Sequence, residues 1–286
     1  MKQHSKSPFL VHWTGRDIDD DQDLAEDLST AKRERYADRL VGTLRTGLWL
    51  TKGDDPIYTA KDMLYSTTPR VCFTEVLLSR VTTHSARYGR MGLGFTRDFI
   101  LKQNGSPVIY FNDRTDEIVM NSLMAVTKRL GAIQSMLESA TSPRAQFAQV
   151  EALEAYDIMN HLFAFAKPMS DATDVNDFVF YEEAEWRVCW HLNAFAVASA
   201  GVPSMYEFRR TAQRRQESWL PPPGLIPSGT EVPAYYLRFG PEDLALLVLP
   251  DDLVRDTIWG HAEFGEWREQ RAKPLPMLTL QECIGF

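Results

Sequence analysis

Short apolar runs dominate the first part of the chain. Four of them have the length and the β-branched or aromatic content of strands, at 9–14, 70–76, 91–95 and 107–111. Between the first two runs, apolar residues recur at helical spacing over 36–48, and Gly47 stands near the end, where a C-terminal cap would sit. This pattern predicts a strand, a helix and three further strands.

The middle of the chain changes to a helical period. Apolar residues at steps of four and three form a single stripe, made of Val119, Leu123, Val126, Leu130, Ile133 and Leu137. A second helical stretch runs from about 145 to 167, and Ser142-Pro143 between the two is a turn signal. The spacing predicts an antiparallel helical hairpin over 117–167, inserted between strands and packed as a unit on the sheet domain. Each helix is expected to bury part of the stripe that contains Leu130 against the other.

Strand character then returns in three runs, at 178–192, 235–239 and 244–249. The predicted order is therefore β-α-β-β-β, helical hairpin, β-β-β. Such an order is typical of an α+β protein with a mixed sheet. The length of 286 residues fits a single α+β domain over 1–286 that carries the hairpin as an insertion.

Charge and cysteine content narrow the function classes. A net charge of -8 argues against an extended nucleic-acid footprint, although a nucleic-acid acceptor or an acidic partner at the local basic segment 209–215 stays open. Three scattered cysteines do not form a disulfide framework, and no apolar run is long enough for a membrane helix. With a polar N-terminus that lacks a signal peptide, these features predict a cytoplasmic protein.

The sequence gives little support for a metal site or for a catalytic thiol. The acidic loop 17–23 has alternating carboxylates, but Gln22 and Leu28 stand where a calcium loop needs Gly and Glu, so a solvated loop is the preferred interpretation. No cysteine or histidine pair has zinc spacing, and no metal is predicted. Cys72 with His84 would suit a nucleophile and its base, but a simply buried thiol is favoured.

Three carboxylates crowd the start of the apolar run 178–192: Glu182, Glu183 and Glu185. In a strand, Glu183 and Glu185 would share one face, since side chains two apart point the same way. Two like charges repel each other, which is tolerable at a solvated strand end and useful at a site that stabilises a developing cation. Both interpretations stay open on the residues alone.

Several short segments, in order, resemble the signatures of the AbiGi family of abortive phage infection proteins. They are LVHWTG at 10–15, TLRTGL at 43–48, CFTE at 72–75, HSARYGRMGLGF at 84–95, PVIY at 107–110 and EWR at 185–187. The resemblance implies an antitoxin of a two-gene phage-exclusion system, with a toxin or a phage protein as its partner. It implies regulation rather than a particular chemistry.

A second resemblance concerns mechanism. A His-x-Thr strand, a helix ending in Gly-Leu, a Phe-Thr strand and a late strand opened by Glu are similar to the layout of ADP-ribosyltransferase folds. The resemblance implies NAD as substrate, with His12, Thr14, Thr74 and Tyr88 as NAD-binding residues and Glu183 and Glu185 as catalytic acids. Glu75 departs from the pattern, since many members carry a small hydroxyl residue there.

Two functions from different classes follow from these resemblances. One is an enzyme that cleaves the nicotinamide–ribose bond of NAD and transfers or hydrolyses ADP-ribose, with Glu185 supporting the oxocarbenium-like transition state. The other is a non-catalytic antitoxin that uses the same fold as a scaffold. The enzyme requires His12, Thr74, Tyr88 and Glu185 to converge on one cleft, and side chains of His12 and Glu185 on opposite faces of the sheet would exclude it.

Overall fold

The computed structural model describes residues 9–19, 28–52, 56–58, 63–65, 68–75, 80–111, 118–137, 142–169, 180–189 and 236–284. Its strands are β1 (Phe9–Thr14), β2 (Leu48–Trp49), β3 (Thr51–Lys52), β4 (Pro56–Tyr58), β5 (Met63–Tyr65), β6 (Pro69–Thr74), β7 (Met91–Thr96), β8 (Ser106–Pro107), β9 (Ile109–Phe111), β10 (Ala166–Pro168), β11 (Glu185–Cys189), β12 (Tyr236–Leu237), β13 (Leu244–Leu249) and β14 (Met277–Thr279). Its α-helices are α1 (Arg16–Asp19), α2 (Thr30–Thr46), α3 (Val81–Tyr88), α4 (Arg97–Lys102), α5 (Ile118–Leu137), α6 (Pro143–Ala164), α7 (Asp252–Trp259), α8 (Ala262–Glu269) and α9 (Leu280–Ile284). Short 3-10 helices occupy Phe180–Glu183 and Pro241–Asp243. The predicted basic segment 209–215 lies outside the described residues.

A mixed sheet forms the centre of the fold, and the predicted α+β class is confirmed. Its strand order is β14-β13-β7-β1-β6-β11-β8, with β3 also paired to β6. The β13–β14 pair is parallel, whereas the other pairs are antiparallel. Early and late strands of the chain therefore belong to one sheet, and β1 is an inner strand between β7 and β6.

Helices cover both faces of this sheet. Helices α2, α4, α7 and α8 bury one face together with Leu10 and Phe73. Helices α3 and α9 pack on the other face, against Val11 and Trp13. Gly92 of β7 lies beneath Trp13, where a Cβ would approach the indole ring to 3.0 Å. Because neighbouring residues of a strand point to opposite faces, the two cores divide β1 into two sets of side chains.

The two helices expected over 117–167 are present as α5 and α6. They contact each other and connect β9 to β10, which pair in parallel as a separate two-stranded sheet. Ser142 caps α6 by accepting a hydrogen bond from the backbone N–H of Ala145, and Pro143 occupies the first turn. The turn signal thus marks the start of the second helix.

The buried side of α5 differs from the predicted one. Its buried side chains are Met120, Met124 and Thr127, and the first two pack with Met159 and Phe163 of α6. Three members of the expected stripe are instead exposed, namely Val119, Val126 and Ile133. The predicted stripe is therefore buried only in part, through Leu123 and Leu130, because α5 is rotated so that methionines face α6 and β9.

The late strand is shorter than predicted. Strand β11 begins at Glu185, and residues 180–183 form a 3-10 helix. Ala184 links the two in a left-handed conformation with φ of 43°, which is uncommon for a residue other than glycine. Glu183 therefore does not belong to the strand, and residues 190–192 lie outside the described residues.

Candidate functional site

Lys167 is the centre of the carboxylate site. It lies in β10 between Ala166 and Pro168, and only 4 % of its surface is exposed. Its Nζ donates to Oε2 of Glu183 at 2.9 Å and to Oε2 of Glu185 at 2.5 Å. One buried ammonium group therefore holds the two acids that the sequence singled out.

Both carboxylate oxygens and both backbone polar groups of Glu185 have hydrogen-bond partners. Arg187, two residues along β11, donates from Nε to Oε1 of Glu185 at 2.6 Å. The backbone N–H of Glu185 donates to the hydroxyl oxygen of Tyr110 at 2.8 Å, and its carbonyl accepts from the backbone N–H of Val108 at 2.8 Å. With 3 % of its surface exposed, the residue is a buried, doubly paired carboxylate.

Glu183 reaches the same ammonium group from the 3-10 helix. Its Oε1 accepts a hydrogen bond from the hydroxyl of Tyr88 in α3, and only 1 % of its surface is exposed. The left-handed turn at Ala184 separates it from Glu185 in the backbone but brings both carboxylates to Lys167. Tyr88, Glu183 and Glu185 therefore do lie together, through contacts that the predicted strand over 178–192 did not include.

Arg187 joins this group to the end of α6. It is fully buried, and its Nη1 donates to the carbonyl of Ala164 at 2.8 Å and to that of Ala166 at 3.4 Å. Ala164 is the last residue of α6, so the guanidinium group satisfies a carbonyl that has no partner within the helix. A positive charge there also complements the negative end of the helix dipole.

The electrostatics match a structural ion cluster. Burial raises the pKa of Glu185, but the charges of Lys167 and Arg187 outweigh it, so the pKa is lowered to about 2. Burial raises the pKa of Tyr110 to about 12, and it also raises the pKa of the Tyr88 hydroxyl. At neutral pH the site holds an ionised Glu185 and two protonated phenols.

His12 lies on the opposite face of the sheet from Glu185. Val11 and Glu185 are both directly paired with Thr74, one from each side of β6, so all three side chains share a face. His12 follows Val11 and points the other way, where its ring contacts Phe73 at a centroid distance of 5.9 Å. The expected convergence of His12 with Glu185 is therefore wrong.

The immediate partners of His12 and Thr14 explain their positions. Nδ1 of His12 donates to the carbonyl of Cys72 at 2.9 Å, and burial lowers the pKa of the ring. Thr14 shares its face and accepts a hydrogen bond from Arg39 of α2 at 3.2 Å. Neither residue faces the carboxylates, so an NAD molecule cannot contact His12, Thr14 and Glu185 in one cleft.

Thr74 is on the face of Glu185 but its hydroxyl is occupied. Nε1 of Trp13 donates to Oγ1 of Thr74 at 3.1 Å, and that hydroxyl donates to the carbonyl of Val11 at 3.3 Å. Glu75, which departs from the transferase pattern, receives a hydrogen bond from Arg97 at 2.6 Å and one from Trp186 at 3.3 Å. Both residues therefore have structural partners.

Burial favours the neutral forms of both Cys72 and His84, the thiol and imidazole near the cluster. Burial raises the pKa of the Cys72 thiol, which keeps it protonated at neutral pH. His84 is buried, its Nδ1 is 3.4 Å from the carbonyl of Arg80, and its Nε2 has no hydrogen-bond partner among the described residues. Burial lowers the pKa of His84 against the opposing charge of Glu183.

The acidic loop is not simply solvated. Asp17 pairs with Arg39 at 2.6 Å, but Asp19 is buried and accepts hydrogen bonds from Arg90 at 3.1 Å and Tyr36 at 2.8 Å. The prediction of a solvated loop is therefore wrong for Asp19, while 20–23 lie outside the described residues. Within the described ranges, no three His, Cys, Asp or Glu side chains are grouped to hold a metal.

The residues missed by the sequence interpretation are the basic ones. Lys167 and Arg187 supply both positive charges of the cluster, and Tyr110 supplies a hydroxyl. A signal existed for Lys167, because it is the only charge in the apolar run 162–169 and a buried charge needs an opposite partner. Among the described helices, none combines the length and apolar character needed to cross a bilayer.

Comparison with known proteins supports one of the two resemblances. The family model of the abortive phage resistance protein AbiGi, an antitoxin, matches residues 55–250, which is more than half of the chain. The similar segments at 10–15 and 43–48 precede that range. Neither a curated protein nor a solved structure matches the chain, so the transferase resemblance gains no support. The chain belongs to the AbiGi family of abortive phage resistance proteins, described as antitoxins.

Proposed function

We propose that this protein is a non-catalytic antitoxin that takes part in phage defence by binding a protein toxin. The observation that carries the proposal is the state of Glu183 and Glu185. Both are buried, and Lys167 binds both of them. Carboxylates held in this way stabilise the scaffold and are not presented to a ligand.

The transferase chemistry would need a different site. A carboxylate that stabilises a developing cation on ribose must contact the sugar in an accessible cleft. Here two cations already neutralise Glu185, and the residue expected to hold the ribose, His12, faces the other side of the sheet. The residues present therefore do not fit NAD in the way that the transferase resemblance implies.

The first experiment tests the absence of NAD cleavage directly. Purified protein is incubated with NAD, alone and with lysate of phage-infected cells, and released nicotinamide is measured. We expect no release above a buffer control. Release that Glu185→Gln abolishes and Glu182→Gln preserves, with both variants folded by circular dichroism, would overturn the proposal, since Glu182 is exposed.

The second experiment tests the antitoxin function. The toxin of the same phage-resistance system is expressed in bacteria with and without this chain, and growth is followed. We expect co-expression to restore growth and the two proteins to co-purify. Persistent growth arrest with a soluble, folded chain would contradict the proposal, and the Glu185→Gln variant would show whether its carboxylate matters beyond stability.

A further inference from the structure

The outer side of the α5–α6 hairpin is an exposed apolar face. On α5 its members are Val119, Val126 and Ile133, and on α6 they are Phe147, Ile158 and Leu162. Each of the six side chains is between 42 and 61 % exposed. We name these six residues the hairpin face.

Helical geometry places the two halves of the hairpin face on the same side. A helix turns about 100° per residue, so each half is centred about 120° from the buried side chains of its own helix, in the same rotational sense. Met120 and Met124 mark the buried side of α5, while Met159 and Phe163 mark that of α6. Because the two helices are antiparallel, equal rotation in the same sense directs both halves to one side of the pair.

The size of the hairpin face matches a dimer interface. At roughly 150–200 Å² for each free side chain, these exposed fractions amount to on the order of 500 Å² of apolar surface. A stable interface buries about 800 Å² on each partner, of which roughly 60 % is apolar, or again about 500 Å². An apolar patch of about this size is the largest that a typical monomer exposes, and such a patch often serves as a binding site.

The sequence of α5 indicates what covers it. Val119, Val126 and Ile133 recur every seven residues, and each is followed four residues later by a leucine, at 123, 130 and 137. In heptad terms the leucines are at position a and the β-branched residues at position d. In coiled coils, leucine at position a with isoleucine at position d favours assemblies of three or four helices over pairs. One hairpin supplies two helices, so two copies of the chain would supply four.

We propose that the hairpin face binds a second copy of this chain, forming a two-fold symmetric four-helix arrangement. A two-fold axis parallel to the helices places α5 of each copy against α6 of the other, with all neighbours antiparallel.

Light scattering with size-exclusion chromatography on the full chain tests the proposal. We expect the wild type to elute at twice the 32.7 kDa of one chain at micromolar concentration. Val126→Glu and Ile158→Glu, one on each helix, should each weaken self-association at least tenfold. Ala132→Glu is the matched control, because Ala132 is exposed on α5 outside the hairpin face and should leave the dimer intact.

The outcomes separate this proposal from the antitoxin function. A wild-type monomer at about 100 μM, or a Val126→Glu variant that stays dimeric, overturns the dimer. If the wild type is monomeric and Val126→Glu also loses the toxin, the hairpin face belongs to the toxin instead. Circular dichroism and thermal melting of each variant confirm that the fold is retained, since these side chains are exposed.

Discussion

Replacing Lys167 by methionine tests the buried ion cluster most directly. Methionine has similar volume, but it removes the positive charge that neutralises Glu183 and Glu185. Removing one partner of a buried ion pair typically costs about 3–5 kcal/mol, since an uncompensated charge is left in the interior. Arg187 still pairs with Glu185, so we expect a loss of about 3 kcal/mol in the free energy of unfolding.

A double-mutant cycle in urea measures the coupling. Glu183→Gln alone should cost about 1–2 kcal/mol, because Glu185 stays paired with Lys167 and an amide can still accept from Tyr88. In the Lys167→Met/Glu183→Gln double variant, one charge of each sign is gone and the Glu185–Arg187 pair stays. The loss of stability in the double variant should therefore be smaller than the sum of the losses in the two single variants by at least about 1 kcal/mol.

Lys273→Met is the matched control, since Lys273 is exposed and its loss should change stability by less than about 0.5 kcal/mol. Strict additivity of Lys167→Met and Glu183→Gln would refute the reasoning, because it would mean that the two charges do not interact. A Lys167→Met variant as stable as the wild type would refute it as well.

Three further predictions address the same elements. Folding lowers the pKa of Glu185 to about 2, so the stabilisation from its ionised form is complete above the pKa of the unfolded chain and is lost as the pH falls. In urea melts, the free energy of unfolding should therefore fall by about 3 kcal/mol between about pH 5 and pH 2, and this loss should be absent in Glu185→Gln. Leu130→Asp should cost about 2–4 kcal/mol, since Leu130 packs against the methionine cluster of the hairpin; an unchanged melting temperature would contradict that contact. Glu182→Gln should change stability by less than about 0.5 kcal/mol, as its contact with Arg80 is exposed, and a larger effect in the same melts would argue for a buried role.

Strands and helix ends were the most predictable part of the fold. The run 9–14 is strand β1, and Gly47 caps α2 with φ of 101° as its position indicated. These features depend on local backbone preferences, which follow directly from the residue types. Helices α3 and α4 were not predicted, because each is short and has too few turns for a periodic apolar pattern to stand out.

Helix orientation was less predictable than helix position. The stripe of valines, isoleucine and leucines on α5 suggested the buried side, yet Met120 and Met124 occupy it. Both sides of α5 are apolar, so the period of the pattern identifies a helix without selecting one of the two faces. The choice depends on Phe111, Met159 and Phe163, which come from other elements.

For the carboxylate site as well, the sequence identified unusual residues but not the role that they have in the structure. The sequence correctly singled out Glu183 and Glu185 as unusual, but it could not show that Lys167 stands between them. The expected grouping with His12 failed on register alone, since the pairing of Val11 with Thr74 decides which face His12 occupies. A one-residue shift between β1 and β6 would have produced the opposite result.

The ion cluster also connects two parts of the molecule. Lys167 belongs to the two-stranded sheet at the base of the hairpin, whereas Glu185 and Arg187 belong to the central sheet. Apolar side chains of similar volume could hold these parts together with equal or greater stability. They would not fix the angle between them, because dispersion contacts have little directionality, whereas Arg187 must meet the carbonyl of Ala164 and the carboxylate of Glu185 at once. We therefore expect the buried charges to set the direction in which the hairpin face points, and so to determine which surface a partner can reach.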